Sequence, residues 1–247
     1  MDTLKNLNMA GKNYSLCAKT VTDNSPTPTT PTPIESELRI AFGISSDWTR
    51  RASLMRPIDY NSRIMRNSSK TPSVGEMIRF GLSWSGMNAL FCRNSIMNLF
   101  TTSVPVSELK RFKLLYNSCN IDLIKMSSRL TNLHNILSTT TTSYVPGHAP
   151  GTRLPILQVL YSKYTPIQYQ TMSTGNVINQ CLISGNYSSL DMPTLVYLMR
   201  NWSVHGGVLG SNFRSVPRFK LYIDTINEAL SDIHLEISKE LLTKLKT

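Results

Sequence analysis

The sequence predicts an α+β fold with a flexible Pro-rich N-terminal arm, a mixed core of short strands and helices, and a C-terminal amphipathic helix. Three observations predict it: four prolines within nine residues near the N-terminus, an alternation of apolar residues with the period of a strand, and a C-terminal apolar repeat with the period of a helix. We therefore expect a disordered Pro/Thr-rich arm over 1–36 and a single α+β domain over 37–247, with a hinge loop at 138–151.

The arm is predicted from the stretch Ser25-Pro26-Thr27-Pro28-Thr29-Thr30-Pro31-Thr32-Pro33. Proline has no amide donor and favours extended polyproline conformations, so such a stretch resists both helix and sheet. The functional interpretation is a tether or a docking peptide, and a disordered leader is the alternative.

The first half of the core is predicted to contain strands followed by helices. A strand is predicted over 38–44, where the alternating apolar residues are Leu38, Ile40, Phe42 and Ile44. A second strand is expected over 57–66. Ser73 and Glu76 have the spacing of a capping box, in which each side chain bonds the other residue's backbone amide. They predict a helix that begins at 74 and breaks at Gly86, and a further helix is predicted over 89–100.

The second half of the core combines helices with β structure. Segment 107–117 fits a helix or a strand, and apolar spacing predicts a helix over 121–138. The Ser/Thr tract and the Pro and Gly residues of 138–151 predict the hinge loop. Residues typical of strands are concentrated over 154–170. Asp191 is suited to cap a helix that stops at Gly206.

The C-terminal segment has the strongest periodicity in the chain. Its apolar residues recur at steps of three or four, which predicts an amphipathic helix: Ile226, Leu230, Ile233, Ile237, Leu241 and Leu245. Acidic residues recur at steps of four on another face: Asp224, Glu228, Asp232, Glu236 and Glu240. We hypothesise that this acidic stripe docks on an Arg-rich face of a neighbouring copy and so produces self-association into head-to-tail polymers. A solvated outer face of the chain's own domain is the alternative.

The chain is strongly basic, with 26 Lys and Arg against 15 Asp and Glu and a net charge of +11. Such a charge attracts polyanions and anionic lipid headgroups. Arginine dominates the basic residues of 50–79, and its planar fork pairs bidentately with phosphate. Ordinary solvated surface is the alternative interpretation. The predicted anion-binding residues are Arg50, Arg51, Arg56, Arg63, Arg66, Lys70, Arg79, Lys110, Arg111 and Lys113.

Motifs for catalysis, metals and cofactors are missing from the sequence. The four histidines have no second ligand at metal-binding spacing, and no P-loop, GxGxxG or paired-acid motif occurs. We therefore expect no enzymatic activity, no metal and no cofactor. The N-terminus lacks the apolar run of a secretion signal, and no apolar stretch is long enough to span a bilayer. Any membrane contact is expected to be peripheral.

The order of features resembles that of rhabdovirus matrix proteins. An N-terminal segment with Lys5, Lys12 and Lys19 leads into the Pro-rich stretch, the strand at 38–44 and the capped helix that starts in Thr71-Pro72-Ser73-Val74-Gly75-Glu76-Met77-Ile78. The resemblance implies a basic arm, binding to anionic membranes and to the nucleocapsid, self-assembly, and a location in the host cytoplasm and the virion. The chain departs from the family in having no PPxY motif, no dense lysine run and an acidic C-terminal helix.

Two alternatives remain beside the matrix-like structural protein. One is an RNA-binding viral nucleocapsid or coat protein, in which the arginines of 50–79 line an RNA groove. The other is a non-viral adaptor that uses the polyproline arm as a ligand. A half-open β core favours the matrix interpretation, whereas two helical lobes around a basic cleft favour the nucleocapsid interpretation.

Overall fold

A computed structural model describes residues 2–26, 30–55, 74–139, 141–142, 154–155, 192–205 and 219–246. This part of the chain is all-α, with eight helices and 83% of its residues helical. The helices are α1 Asp2–Asp23, α2 Pro33–Leu54, α3 Val74–Phe91, α4 Asn94–Met97, α5 Glu108–Ser118, α6 Leu123–Thr139, α7 Met192–His205 and α8 Phe219–Lys244. The α+β prediction is therefore wrong. Extended pairing is limited here to two residues a side, with β1 Thr141–Thr142 antiparallel to β2 Leu154–Pro155.

The chain forms two compact units. The first contains 1–55, 78–121 and 227–247, and the second contains 56–77 and 122–226. Three predicted features lie wholly or mostly outside the described residues. They are the strand over 57–66, most of the hinge loop, and the β region beyond Pro155. The first unit carries most of the described side chains and is the one that bears the candidate site.

The predicted flexible arm is wrong, because residues 2–23 form α1. Residues at steps of three and four along α1 are fully or nearly buried: Leu7, Ala10, Tyr14, Cys17 and Val21. Burial of this stripe stabilises the helix. Pro26 and Pro31 lie between α1 and α2. Pro33 occupies the first turn of α2, where proline needs no amide partner.

The predicted strand over 38–44 is also wrong, because these residues lie inside α2. The helix begins with a capping box in which the Glu35 amide donates to Thr32 Oγ1 (3.3 Å) and the Thr32 amide donates to Glu35 Oε2 (2.7 Å). Phe42 is fully buried, whereas Ile40 is 54% exposed. Apolar residues on two opposite faces of one helix therefore imitate the alternation of a strand.

Helix α2 approaches both neighbouring helices closely at glycines. Ser45 Oγ donates to the Gly86 carbonyl oxygen of α3, and Ser46 Oγ donates to the Gly11 carbonyl oxygen of α1, each at 2.8 Å. A Cβ at Gly86 would lie 2.6 Å from Thr49 Oγ1. Gly86 was predicted to break α3, but the helix continues to Phe91, because this glycine supplies the space for α2.

A cluster of aromatic rings anchors α5 to the end of α3. The ring centres of Trp84 and Phe112 lie 5.3 Å apart in an edge-to-face arrangement, and those of Phe91 and Phe112 lie 5.8 Å apart. Such pairs stabilise a core beyond the burial of their area. The ambiguous segment 107–117 is therefore mostly helical, as part of α5. Its apolar face lies inside, with Phe112 fully buried.

The C-terminal helix α8 is present as predicted and runs through the first unit from Asn227 onward. Its apolar positions from Ile226 to Leu241 are fully buried. Its central His234 is also fully buried: Nε2 lies 2.8 Å from the Ser83 carbonyl oxygen, and Nδ1 lies 3.0 Å from the Tyr14 hydroxyl. A carbonyl only accepts, so Nε2 carries the proton and Nδ1 is the acceptor. This ring thereby links α8 to α1 and α3.

The described part of the second unit is also helical. Buried apolar residues lie on α6 and α7, namely Met126, Leu130, Leu133, Met192, Leu195, Val196 and Met199. The short β1–β2 pairing follows α6 directly. The predicted helices over 121–138 and after Asp191 are therefore present, with observed bounds of 123–139 and 192–205.

Replacement of Gly86 by alanine should lower the free energy of unfolding by about 1–3 kcal/mol, since the added Cβ forces α2 and α3 apart. Gly81 lies on the same helix with nothing within 4 Å of an added Cβ. Gly81→Ala should therefore stabilise the chain by about 1 kcal/mol through helix propensity. Urea unfolding of both variants provides the measurement, and equal effects would contradict the close packing at Gly86.

Stability should fall as the pH falls from about 6.5 to about 4. Burial lowers the pKa of His234 from 6.5 to about 4, so the unfolded chain takes up the proton first. The resulting loss is roughly 3 kcal/mol at the acidic end of this window. Chemical unfolding at a series of pH values measures it. His234→Gln should be less stable at pH 7 but should lack this particular pH dependence, and an unchanged profile would contradict the assignment.

Candidate nucleic-acid interface

Three lysines form a row along the outer face of α1. Lys5, Lys12 and Lys19 are spaced by seven residues, which is close to two helical turns and about 10.5 Å of rise per step. All three are exposed, and they lie away from the buried stripe that faces the core. The ordered helix therefore presents a straight line of positive charge.

Helix α2, which packs against α1, adds two more exposed cations, Arg50 and Arg51. The stem of Arg50 crosses α1 at Gly11, where an added Cβ would lie 2.4 Å from Arg50 Cγ. Arg51 is exposed, its Nε lies 2.9 Å from Asp47 Oδ2, and its guanidinium lies 5.7 Å from the centre of the Trp48 ring. Exposed ion pairs of this kind contribute little to stability. Both arginines remain accessible to an anion.

We call Lys5, Lys12, Lys19, Arg50 and Arg51 together the α1–α2 cationic face. Its carboxylates are few, with Asp47 beside Arg51 and with Asp2 and Asp23 at the two ends of α1. An exposed aromatic ring, that of Trp48 at 36% exposure, adjoins Arg51. Positive charge beside an accessible ring is the combination that single-stranded nucleic acid needs for phosphate contact and base stacking.

Two of the predicted anion-binding arginines are used by the fold instead. Arg79 is buried, and its Nη2 donates to the Met55 carbonyl oxygen. Arg111 donates through Nη1 to the carbonyl oxygens of Phe91 and Cys92, each at 3.2 Å. These two carbonyls lie at the C-terminal end of α3, where a cation is favourable. Arg111 therefore caps α3.

The other predicted residues divide into two sets. Lys110 is exposed and Lys113 is half-buried on α5. The remaining four lie outside the described residues: Arg56, Arg63, Arg66 and Lys70. The structure thus packs Arg50 against α1, whose lysines the sequence assigned to a disordered arm. The seven-residue spacing of those lysines, opposite the buried stripe, was the signal for this face.

The acidic stripe of α8 is engaged within the chain at several positions. The Asn6 side chain donates to Asp232 Oδ1 (2.7 Å), and Lys239 Nζ lies 2.7 Å from Glu236 Oε1. Glu240 Oε1 lies 3.8 Å from Lys244 Nζ. Of the other two acidic residues, Asp224 is half-buried and Glu228 is exposed. Self-association through this stripe stays a prediction. Because α8 supplies core residues, Glu228→Gln is a better test of it than deletion of the helix.

Metal and membrane-spanning features were sought throughout the described ranges. No group of three His, Cys, Asp or Glu side chains there is placed to hold a metal ion. None of the helices in these ranges is both long enough and apolar enough to cross a bilayer.

Comparison with protein-family models, with curated proteins and with solved structures gives no match to this chain. The resemblance to rhabdovirus matrix proteins therefore stays a prediction.

Replacement of Arg111 by glutamine should lower the free energy of unfolding by about 1–3 kcal/mol, because the carbonyls that it caps lose their donors. Lys110→Gln is the matched control, since it removes one charge from the preceding residue of α5 without touching these carbonyls. Thermal or urea unfolding distinguishes them. Equal stability of the two variants would show that Arg111 is not a structural cap.

Proposed function

We propose that this chain is a structural protein that binds single-stranded RNA along the α1–α2 cationic face. The observation that supports this most is the placement of five exposed cations on two helices that pack directly against each other. Phosphate contacts dominate the affinity of such proteins and need no base-specific pocket. A straight lysine row on a rigid helix is suited to following a phosphate backbone.

The all-α architecture supports RNA over the matrix-like alternative. The matrix interpretation expected a mixed core with strands, and the described part of the chain has helices in place of the predicted strand over 38–44. Trp48 with Arg51 beside it adds a surface on which a base can stack. A structural role that coats RNA also fits the expectation of self-association and of no catalytic site.

An anionic membrane surface is the second candidate, and one observation favours it. Apolar side chains lie among the lysines on the outer face of α1: Leu4 is 38% exposed, Met9 is 40% exposed and Leu16 is 48% exposed. Lysines interspersed with aliphatic side chains suit a peripheral contact with acidic headgroups. On this alternative α1 would lie flat on the bilayer with its buried stripe still packed in the core.

RNA binding should depend steeply on salt, and the slope should change when the lysine row is removed. In a titration of single-stranded RNA, the triple variant Lys5→Gln, Lys12→Gln, Lys19→Gln should flatten the plot of log K against log salt by about 2, at about 0.7 per lost phosphate contact. A matched control removes three lysines from α8: Lys239→Gln, Lys244→Gln and Lys246→Gln. Only the first triple variant should show the flatter dependence of log K on log salt.

The same proteins should be compared on vesicles with and without an anionic phospholipid. Flotation with the anionic vesicles, combined with no RNA binding near physiological salt, would replace RNA by a membrane as the partner. Equal RNA binding by the wild type and the α1 triple variant would refute the α1–α2 cationic face as the binding surface.

A further inference from the structure

A cavity of about 490 Å³ opens in the first unit between α2, α3 and the turn that leads to α4. Helix α2 contributes Glu37 and Ile44, and α3 contributes Asn88 and Ala89. Arg93 comes from the turn, Asn94 is the first residue of α4, and Arg111 closes one wall. This volume is within the range that small ligands occupy in proteins.

The charges of the lining residues favour an anion. Arg111 makes four hydrogen bonds, and all four go to uncharged oxygens: those of Pro105, Phe91 and Cys92 and Oδ1 of Asn94. Arg93 is exposed. Glu37 is the one carboxylate among the described residues that line the cavity. Two guanidinium groups against one carboxylate leave a positive potential in the cavity.

The hydrogen-bonding groups favour a ligand rich in acceptors. Arginine has only donors, so the Asn94 atom that lies 2.9 Å from Arg111 Nη2 is its oxygen, and its Nδ2 remains a donor. The Asn88 side-chain oxygen accepts from Cys92 Sγ at 3.1 Å, which leaves the Asn88 Nδ2 as a second donor. Ile44 and Ala89 add apolar side chains to the lining, and Glu37 adds a carboxylate.

We propose that this cavity binds one nucleotide of the RNA, with its phosphate at Arg93 and Asn94, its base against Ile44 and Ala89, and an N–H edge of the base donating to Glu37. The inference rests on the proposed function. An acidic peptide would match the guanidinium groups but would place a carboxylate near Glu37. A nucleotide carries both an anionic group and an N–H donor, and so matches both signs of charge.

The cavity also continues the proposed RNA path. Trp48 lies one helical turn from Ile44 on α2, and both side chains are partly exposed. Arg51 lies beside Trp48 and belongs to the α1–α2 cationic face. A strand that follows this face can therefore stack one base on Trp48 and insert the next into the cavity.

The exposed thiol of Cys92 lines the cavity and reports its occupancy. Alkylation of each cysteine is followed by mass spectrometry on the full chain, with guanosine or cytidine 5′-monophosphate, a short RNA, inorganic phosphate or a poly-glutamate peptide added. Burial raises the pKa of Cys17 and of Cys119 to about 12, so these thiols stay unreactive and serve as internal references. The mononucleotides and the RNA should slow alkylation of Cys92.

Two variants test the assigned contacts. Arg93→Gln should weaken protection by the mononucleotides roughly tenfold, since a charge-assisted phosphate contact is lost. Glu37→Gln should change the order of preference between guanosine and cytidine monophosphates, because the glutamine amide offers the base one acceptor in place of two. Lys110→Gln lies outside the lining residues and should change neither result.

The outcomes separate this inference from the proposed function. RNA binding in the titration without any protection of Cys92 would overturn the nucleotide cavity and leave the cationic face intact. Protection by inorganic phosphate or by poly-glutamate equal to that by mononucleotides would also overturn it, since the base would then contribute nothing. Protection by mononucleotides without binding of longer RNA would refute the proposed function and leave a nucleotide site.

Discussion

The close approach of α2 to α1 and α3 is the constraint on which the rest of the first unit depends. Two adjacent serines, Ser45 and Ser46, each donate to the backbone of a glycine on a different neighbour. Side chains at Gly11 and Gly86 would prevent these contacts. Because both flanking helices are held at short range, the stem of Arg50 packs on α1 at Gly11. Glu37 and Ile44 of α2 line the cavity together with α3.

The basic residues of this protein divide by the partners that the fold provides. Arg111 is satisfied by the carbonyl oxygens at the end of α3, and Arg79 donates to a backbone oxygen while buried. The lysines of α1 and Arg50 instead project from helices whose other faces fill the core. Net charge alone therefore overstates the charge available to a polyanion, because the fold itself engages the guanidinium groups of Arg79 and Arg111.

The helices that depend on local signals were predictable from the sequence. The repeat of Ile226, Leu230, Ile233 and Ile237 predicted α8, and the start of α3 at Val74 follows the Ser73 position of the capping box. The same kind of box, formed by Thr32 and Glu35, begins α2 but was obscured by the prolines around it. Reading those prolines as an arm also hid the helical spacing of the buried residues before them.

The remaining errors have a common physical cause. Ile40 and Ile44 are apolar but partly exposed, so hydrophobicity could not identify which face of α2 is buried. Gly86 looked like a helix breaker in the sequence. Its actual role is to leave space for α2, which packs against it and lies about 40 residues earlier in the chain. A close approach at one glycine, or an apolar residue left exposed, leaves no periodic trace in the sequence.

The sequence by itself determined the basic charge, the amphipathic C-terminal helix and the lack of recognisable catalytic motifs, because composition and periodicity are local properties. Only the tertiary structure decided which of the described arginines are structural and which are accessible, and that the lysines of α1 form one row on a helix. It also decided that Glu37, Arg93 and Arg111 share a cavity. These outcomes depend on which backbone oxygens and side chains meet in space, and packing between distant helices sets that.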